Sequence, residues 1–332
     1  MYSHGIHNCL TEKFNVDVLI LKEHRIFHNL LLHRTASMIR GLFSRVPLNV
    51  IFHSAGIRKL NLTQGDYRYI VVDHIEALGA IEGVDTPYIL IAQNLEYRLS
   101  NDKLQSRLVR SFFQLTNRLR SYEHSGFANA KGVICISATE ATEISKFTDY
   151  VVQLLPSFPT KELATAKSDK IRFGFIGPAS WQPNARTVQK LASAIFPGVD
   201  RDIEFVLAGA GWESVNFKLP KNTRLLGFVE DTKEFWENVD FLLAPTEQGA
   251  GVNVKICEAL HYGVAVITNT KSAKAIFGEN SIPDSVIIAD TDKELQACLN
   301  HIEPTEGTGS KGGYTQKLMG EKLTGFWELL EN

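Results

Sequence analysis

No stretch of this chain approaches the roughly 18–20 consecutive apolar residues that span a bilayer, and no signal peptide is read in its opening residues. Cysteine is scarce: Cys9, Cys135, Cys257 and Cys298 are dispersed, with no C-x-x-C pair, which argues against a zinc ribbon or a disulfide framework and for reduced thiols in a cytoplasmic protein. The ten histidines, eight of them at or before His124, form no H-E-x-x-H or other metal spacing, so no metal and no cofactor are expected. Charge of one sign is lacking too. With 35 Lys+Arg against 37 Asp+Glu the net charge is −2, which gives no footprint for nucleic acid. What remains, 44% hydrophobic and 22% charged residues, is the composition of a globular protein, and 332 residues exceed one ordinary core.

Apolar runs alternate with helical patterns along the whole length, which predicts α/β layering with parallel sheets. Strands are expected at Val16–Leu21, Leu48–Phe52, Tyr69–Val72, Tyr88–Ala92 and Gly132–Ile136 in the first half. The second half offers Ile171–Ile176, Ile203–Leu207, Thr223–Leu226, Phe241–Ala244, Val264–Thr268 and Ser285–Ile288. Between the halves, Leu155 to Lys170 is polar and twice broken by proline, and reads as a linker. Domains are therefore expected at 1–157 and 158–313, followed by a helix-like segment at 314–332.

The most telling segment runs from Asp240 to Thr268. Two short apolar strands flank Gly249, Gly251 and a helix beginning near Val252 or Asn253. Glycines let a backbone approach a ligand, and the unpaired N–H groups opening a helix favour an anion. Lys255 in the first turn adds charge to that end, and Glu258 follows three residues later on the same face. Gly263 supplies the left-handed stop.

Gly249, Gly251, Lys255, Glu258, Ala259, Leu260, Gly263, Val266, Ile267 and Thr268 keep the spacing of a pattern that resembles glycosyltransferase family 4 and its relatives. Three further matches come in family order: Phe173 to Asn184 resembles the opening of the donor domain, Phe205 to Gly211 a glycine-ended strand, and Leu225 to Asp231 a turn that borders the nucleotide base. The resemblance implies a GT-B fold, two Rossmann-like domains with parallel sheets facing across a cleft, the terminal helix crossing back to the first. It also implies that the glycine loop and Lys255 hold the diphosphate of a nucleotide sugar, while Glu258 holds the ribose. Donor contacts are expected at Gly177, Trp181, Asn184, Gly227, Phe228, Val229, Gly249, Ala250, Gly251, Val252 and Asn253. Ala250 stands where many members carry a second Glu. Asn184 follows Pro183, so helix capping competes with ligand contact there.

In the first half, Val71 to Glu76 and Ile91 to Arg98 follow apolar runs, placing polar residues at strand ends. The second of these resembles the family's H-N-V-E element with Gln93 in place of His. Gly5, His74, Gln93, Asn94 and Glu96 are the acceptor-side candidates, with His74 as readily a satisfied structural histidine. Lys103, Arg107, Arg110, Arg118 and Arg120 lie in an amphipathic pattern that reads first as a helix packed on its sheet, with peripheral docking on an anionic membrane as the alternative.

The expected activity is transfer of a sugar from a nucleoside diphosphate to an acceptor hydroxyl, with Lys255 and Glu258 as the catalytic pair. The resemblance implies a retaining reaction in glycan or polysaccharide biosynthesis, on a glycan or lipid-linked acceptor, at the inner membrane face or in the cytoplasm. A sugar-nucleotide epimerase and a catalytically silent partner protein are the competing readings. Because Met1 to Leu10 already reads as the loop and helix that follow a first strand, that strand is expected to be missing, with either a chain whose natural form starts upstream or a rearranged first sheet with impaired acceptor binding.

Overall fold

The computed structural model describes residues 11, 67–98, 115–156, 158, 163–164, 168–246, 251–280, 282–303, 322, 325–326 and 328. Expectations that fall elsewhere, including the strands at 16–21 and 48–52, the start of the chain, the basic pattern at 103–110, and Gly5, Gly249 and Ala250, lie outside these residues. The chain separates into two compact units, one of Ser3–Leu154 with Gly320–Asn332 and the other containing Leu155–Met319.

In the first unit four parallel strands stand in the order β1 (Ile70–Asp73), β2 (Tyr88–Ala92), β3 (Gly132–Cys135), β4 (Val151–Gln153). Helix α1 (Leu115–Asn129) precedes β3, and α2 (Ala138–Ile144) follows it, capped by the Ser137 side chain. β2 and β3 are wholly apolar and almost wholly buried, as strands covered on both faces must be. The short β4 is half-buried at the edge; three residues of partial apolarity gave it no periodic signal.

The second unit is a six-stranded parallel sheet. Its strands are β5 (Ile171–Ile176), β6 (Ile203–Ala208), β7 (Thr223–Gly227), β8 (Phe241–Ala244), β9 (Ala265–Thr268) and β10 (Val286–Ile288). They lie in the order β10-β9-β8-β5-β6-β7, so the first and fourth strands are neighbours and the connections run outward from them in opposite directions. This is the doubly wound arrangement, in which a crevice opens beyond the carboxyl ends of the central pair. Alternate residues feed two cores. Val206, Ala208, Leu242, Ala244 and Val266 join Phe235, Trp236 and the apolar side of α5 (Val254–His261) and α6 (Thr270–Phe277). Phe173, Phe175, Phe205, Leu207, Leu243 and Ile267 join α3 (Gln182–Lys190) and α7 (Asp292–His301) through Val188, Leu295 and Leu299. A short α4 (Lys233–Trp236) carries Phe235 and Trp236. The segment expected as a linker is not merely that: Leu155 and Phe158 are buried in the first of these cores, and Phe158 lies 5.7 Å from the His261 ring.

The floor of the central pair is pinned by an ion pair. Arg172, 3% exposed, gives Asp240 its backbone N–H at 2.8 Å and its guanidinium at 2.7 and 3.2 Å, while Asp240 returns its own N–H to the Arg172 carbonyl at 2.9 Å. Removing one member strands a buried charge. Asp240→Ala should therefore cost about 3–5 kcal/mol in denaturant-monitored unfolding; a loss below about 1 kcal/mol, the range of an exposed ion pair, would contradict this role.

Candidate donor-site loops at the sheet switch point

Beyond β5 the chain must turn without blocking the crevice. Gly177 has φ 142°, and a side chain there would meet the Asn184 amide at 2.5 Å and the Lys255 Nζ at 3.4 Å. Gly209, after β6, packs against this turn so closely that a Cβ would stand 2.2 Å from the Gly177 carbonyl oxygen. Trp212, 1% exposed, donates its indole N–H to that same oxygen at 2.9 Å. The glycine-ended strands are thus a fitted set, each requiring the other to lack a side chain.

α5 begins at Val254 with Asn253 as N-cap residue; Asn253 does not cap with its side chain but donates to the Thr246 hydroxyl at 3.2 Å, tying the helix to the end of β8. Gly251 has φ 77° and Gly263, beyond the other end, φ 72°. The N–H groups of Val254 and Lys255 have no partner within the helix, whereas that of Ile256 donates to the Asn253 carbonyl at 2.9 Å; Lys255 belongs to that turn. Lys255 starts from the helix layer on one face, yet its ammonium donates to Asn184 Oδ1 at 3.1 Å and stands 4.0 Å from the Phe175 ring centre, groups that belong to the layer on the other face. The side chain therefore crosses the carboxyl end of β5. Among the described residues no carboxylate lies within ion-pair distance of it. Burial pushes its pKa down to about 7.

Asn184 settles between its two expected readings in a third way. The helix N-cap is Trp181, whose side chain makes no cap bond, and Asn184 lies inside α3. Its carboxamide donates to the Pro178 carbonyl at 3.0 Å and accepts from Lys255, so it braces the loop and the cation together. Glu258 is 8% exposed and makes no ion pair with Lys255; the Thr232 hydroxyl donates to its Oε1 at 2.5 Å, and burial raises its pKa. Thr232 ends the turn that begins at Gly227, whose next residue, Phe228, is 75% exposed, with Val229 packed against the core. Trp181 is also exposed. Of the donor-side candidates, Gly177, Asn184 and Lys255 are in mutual contact, and Glu258 is linked to the Gly227 turn. Gly251, Val252 and Asn253 lead directly into α5.

In the first unit, Gln93 donates to Asp73 Oδ1 at 3.1 Å, joining the ends of β2 and β1. His74 takes a positive φ of 70°, uncommon for a residue with a side chain, and its imidazole, 42% exposed, lies 4.0 Å from the Asp73 carboxylate. Asn94 is half-buried. Glu96 contributes a backbone N–H to a feature that sequence reasoning missed. Glu123, fully buried, accepts from the N–H groups of Glu96 and Tyr97 at 2.7 and 2.9 Å, and Glu140 accepts from Leu95 at 3.2 Å. Burial raises the two carboxyls to about 8 and about 7. The signal for Glu123 was that it is the only acid in α1. Among the described residues no group of His, Cys, Asp or Glu could hold a metal, and no helix is long and apolar enough to cross a membrane.

Residues 170–303 match the family of glycosyl transferases group 1. Solved structures share the fold at low identity. TarM is 11% identical with a TM-score of 0.59 over 86% of this chain and 58% of that one. HepE from Anabaena, solved with UDP, gives 12% and 0.54 over 79% and 78%. Sucrose-phosphate synthase from Thermosynechococcus elongatus gives 12% and 0.53 over 80% and 72%. This chain thus spans 58% of the length of the TarM chain it matches. No curated protein matches it. The protein has the GT-B fold, and the family match falls within its second unit.

The buried cation has a measurable consequence without any ligand. Because the folded pKa of Lys255 lies near 7 and the ordinary value is 10.5, the unfolded chain binds the extra proton between those limits. This group's contribution to stability should rise with pH across that window, by at most about 1.4 kcal/mol per pH unit, and be flat below it. Lys255→Met should be more stable than wild type at pH 6, with the difference shrinking toward pH 9 in parallel denaturation curves. A variant less stable at pH 6 would contradict the uncompensated charge.

Proposed function

We propose that this chain transfers a hexosyl unit from a nucleoside diphosphate sugar to an acceptor hydroxyl, with the donor held by the second unit and the acceptor by residues 1–155. The observation that carries the reading is the ammonium of Lys255 beside the opening turn of α5, with no carboxylate among the described residues to neutralise it. A diphosphate supplies the missing negative charge, and fixed N–H groups with a fixed cation are what a departing diphosphate needs as its charge grows. Gly249 and Ala250 complete the glycine loop in this reading. The UDP in the HepE structure and in a TarM variant structure is consistent with a nucleotide ligand.

Each side chain has a separate part. Lys255 binds the diphosphate, with Asn184 and Phe175 fixing where its ammonium stands. Glu258 accepts from the ribose hydroxyls, using the oxygen that Thr232 does not occupy. Gln93, Asn94, Glu96, His74 and Gly5 are assigned to the acceptor side, where Gln93 offers hydrogen bonds without a titrating charge. No side-chain nucleophile is assigned, in keeping with a retaining reaction driven by electrostatic stabilisation. The acceptor is a growing glycan or lipid-linked sugar in polysaccharide synthesis, met in the cytoplasm or at the inner membrane face.

Two substitutions test this. Lys255→Ala should weaken nucleoside diphosphates at least tenfold and leave the corresponding nucleosides nearly unchanged, since only the phosphates meet its charge. Glu258→Gln should weaken both. Equal losses for diphosphate and nucleoside in Lys255→Ala, or product formation from a nucleotide sugar that survives it at full rate, would refute the assignment.

A further inference from the structure

The ends of β5, β6 and β7 are marked by Gly177, Gly209 and Gly227 and are bonded to one another through their backbones. Gly177 donates its N–H to the Ala208 carbonyl at 3.0 Å, and Gly209 donates to the Gly227 carbonyl at 2.7 Å. The buried Trp212 braces these ends through its bonds to the Gly177 and Ala208 carbonyls at 2.9 and 3.3 Å. Phe228, 75% exposed, follows Gly227 directly, and its ring offers a hydrophobic face to a base.

One polar group reaches these strand ends and has nothing to do there. Glu213, in the turn after β6, is exposed, and its Oε1 lies 3.4 Å from the point at which a Gly227 side chain would begin. Among the described residues its carboxylate makes no hydrogen bond and no ion pair. The same turn that starts at Gly227 ends at Thr232, which holds Glu258. The turn from Gly227 to Thr232 thus has Glu213 near its first residue and Glu258 at its last.

We infer that Glu213 reads the base of the donor and selects guanine. This rests on the donor-site reading above. An ionised carboxylate only accepts hydrogen bonds. Guanine alone among the common bases presents two adjacent donors, N1–H and the N2 amino group, with no lone pair between them. Uracil and thymine flank their N3–H with two carbonyl oxygens, which the carboxylate repels. Adenine and cytosine set a ring-nitrogen lone pair beside their amino group. Bidentate pairing to matched base edges discriminates by roughly one to two powers of ten, and the exposure of Glu213 puts this site at the lower end.

The test is calorimetric titration of GDP, UDP and ADP into wild type, Glu213→Ala and Glu213→Gln, with thermal unfolding of each protein as the control for folding. GDP is expected to bind wild type about tenfold or more tightly than UDP or ADP. Both variants should lose that factor on GDP while binding UDP and ADP as before. The inference is overturned if UDP or ADP binds wild type as well as GDP does, or if Glu213→Ala leaves GDP unaffected or weakens all three alike; in those cases the donor site itself stands. If none of the three binds wild type, the donor-site reading falls and this inference with it.

Discussion

The contact on which the rest of the second unit turns is the Lys255 ammonium, set between the Asn184 carboxamide and the face of Phe175. A buried cation is costly unless something compensates it. Here the compensation within the described residues is one neutral hydrogen bond and one aromatic face, which is enough to position the group and too little to keep it charged. Such an arrangement costs stability in the empty protein and becomes favourable once an anion arrives. The contrast is with Arg172 of β5 and Asp240, which immediately precedes β8. That pair is matched by its own hydrogen bonds and locks β5 to β8.

The position of Lys255 follows from topology. Only between β5 and β8 do the connections diverge, so only there can a side chain from one helix layer cross the strand ends and meet the other layer. The glycine at the end of β5 clears the passage, Asn184 braces its far side, and the start of α5 delivers both the cation and the unpaired N–H groups. Glu258, one turn further along α5, then faces the turn after β7. A single helix thus sets the spacing of Lys255 and Glu258 by its own pitch.

Much of this was legible in the residues. Six strands of the second unit are found where short apolar runs placed them, because strands covered on both faces leave an unbroken hydrophobic signature; the shift of β9 from Val264 to Ala265 is the fraying of an end. Lys255 and Glu258 could be set on α5, and Gly263 just beyond it, because a helix fixes spacing. What could not be read were contacts between distant segments: that Asn184 would brace Lys255 rather than cap α3, that Thr232 would hold Glu258, that Phe158 of the proline-broken segment would enter a core. The buried acids Glu123 and Glu140 were illegible for the same reason, since their partners are backbone N–H groups of residues 95–97 and carry no residue identity.

The central claim is that ligand charge completes Lys255, and proton uptake measures it most directly. At pH 8 the empty site holds a largely neutral amine, and a nucleoside diphosphate is already ionised. Calorimetric titration of wild type with a nucleoside diphosphate at pH 8, in two buffers of different ionisation enthalpy, should show uptake approaching one proton per molecule bound, with none for the nucleoside alone. Diphosphate binding with no proton taken up would show that Lys255 is already charged by another partner, and would contradict the account.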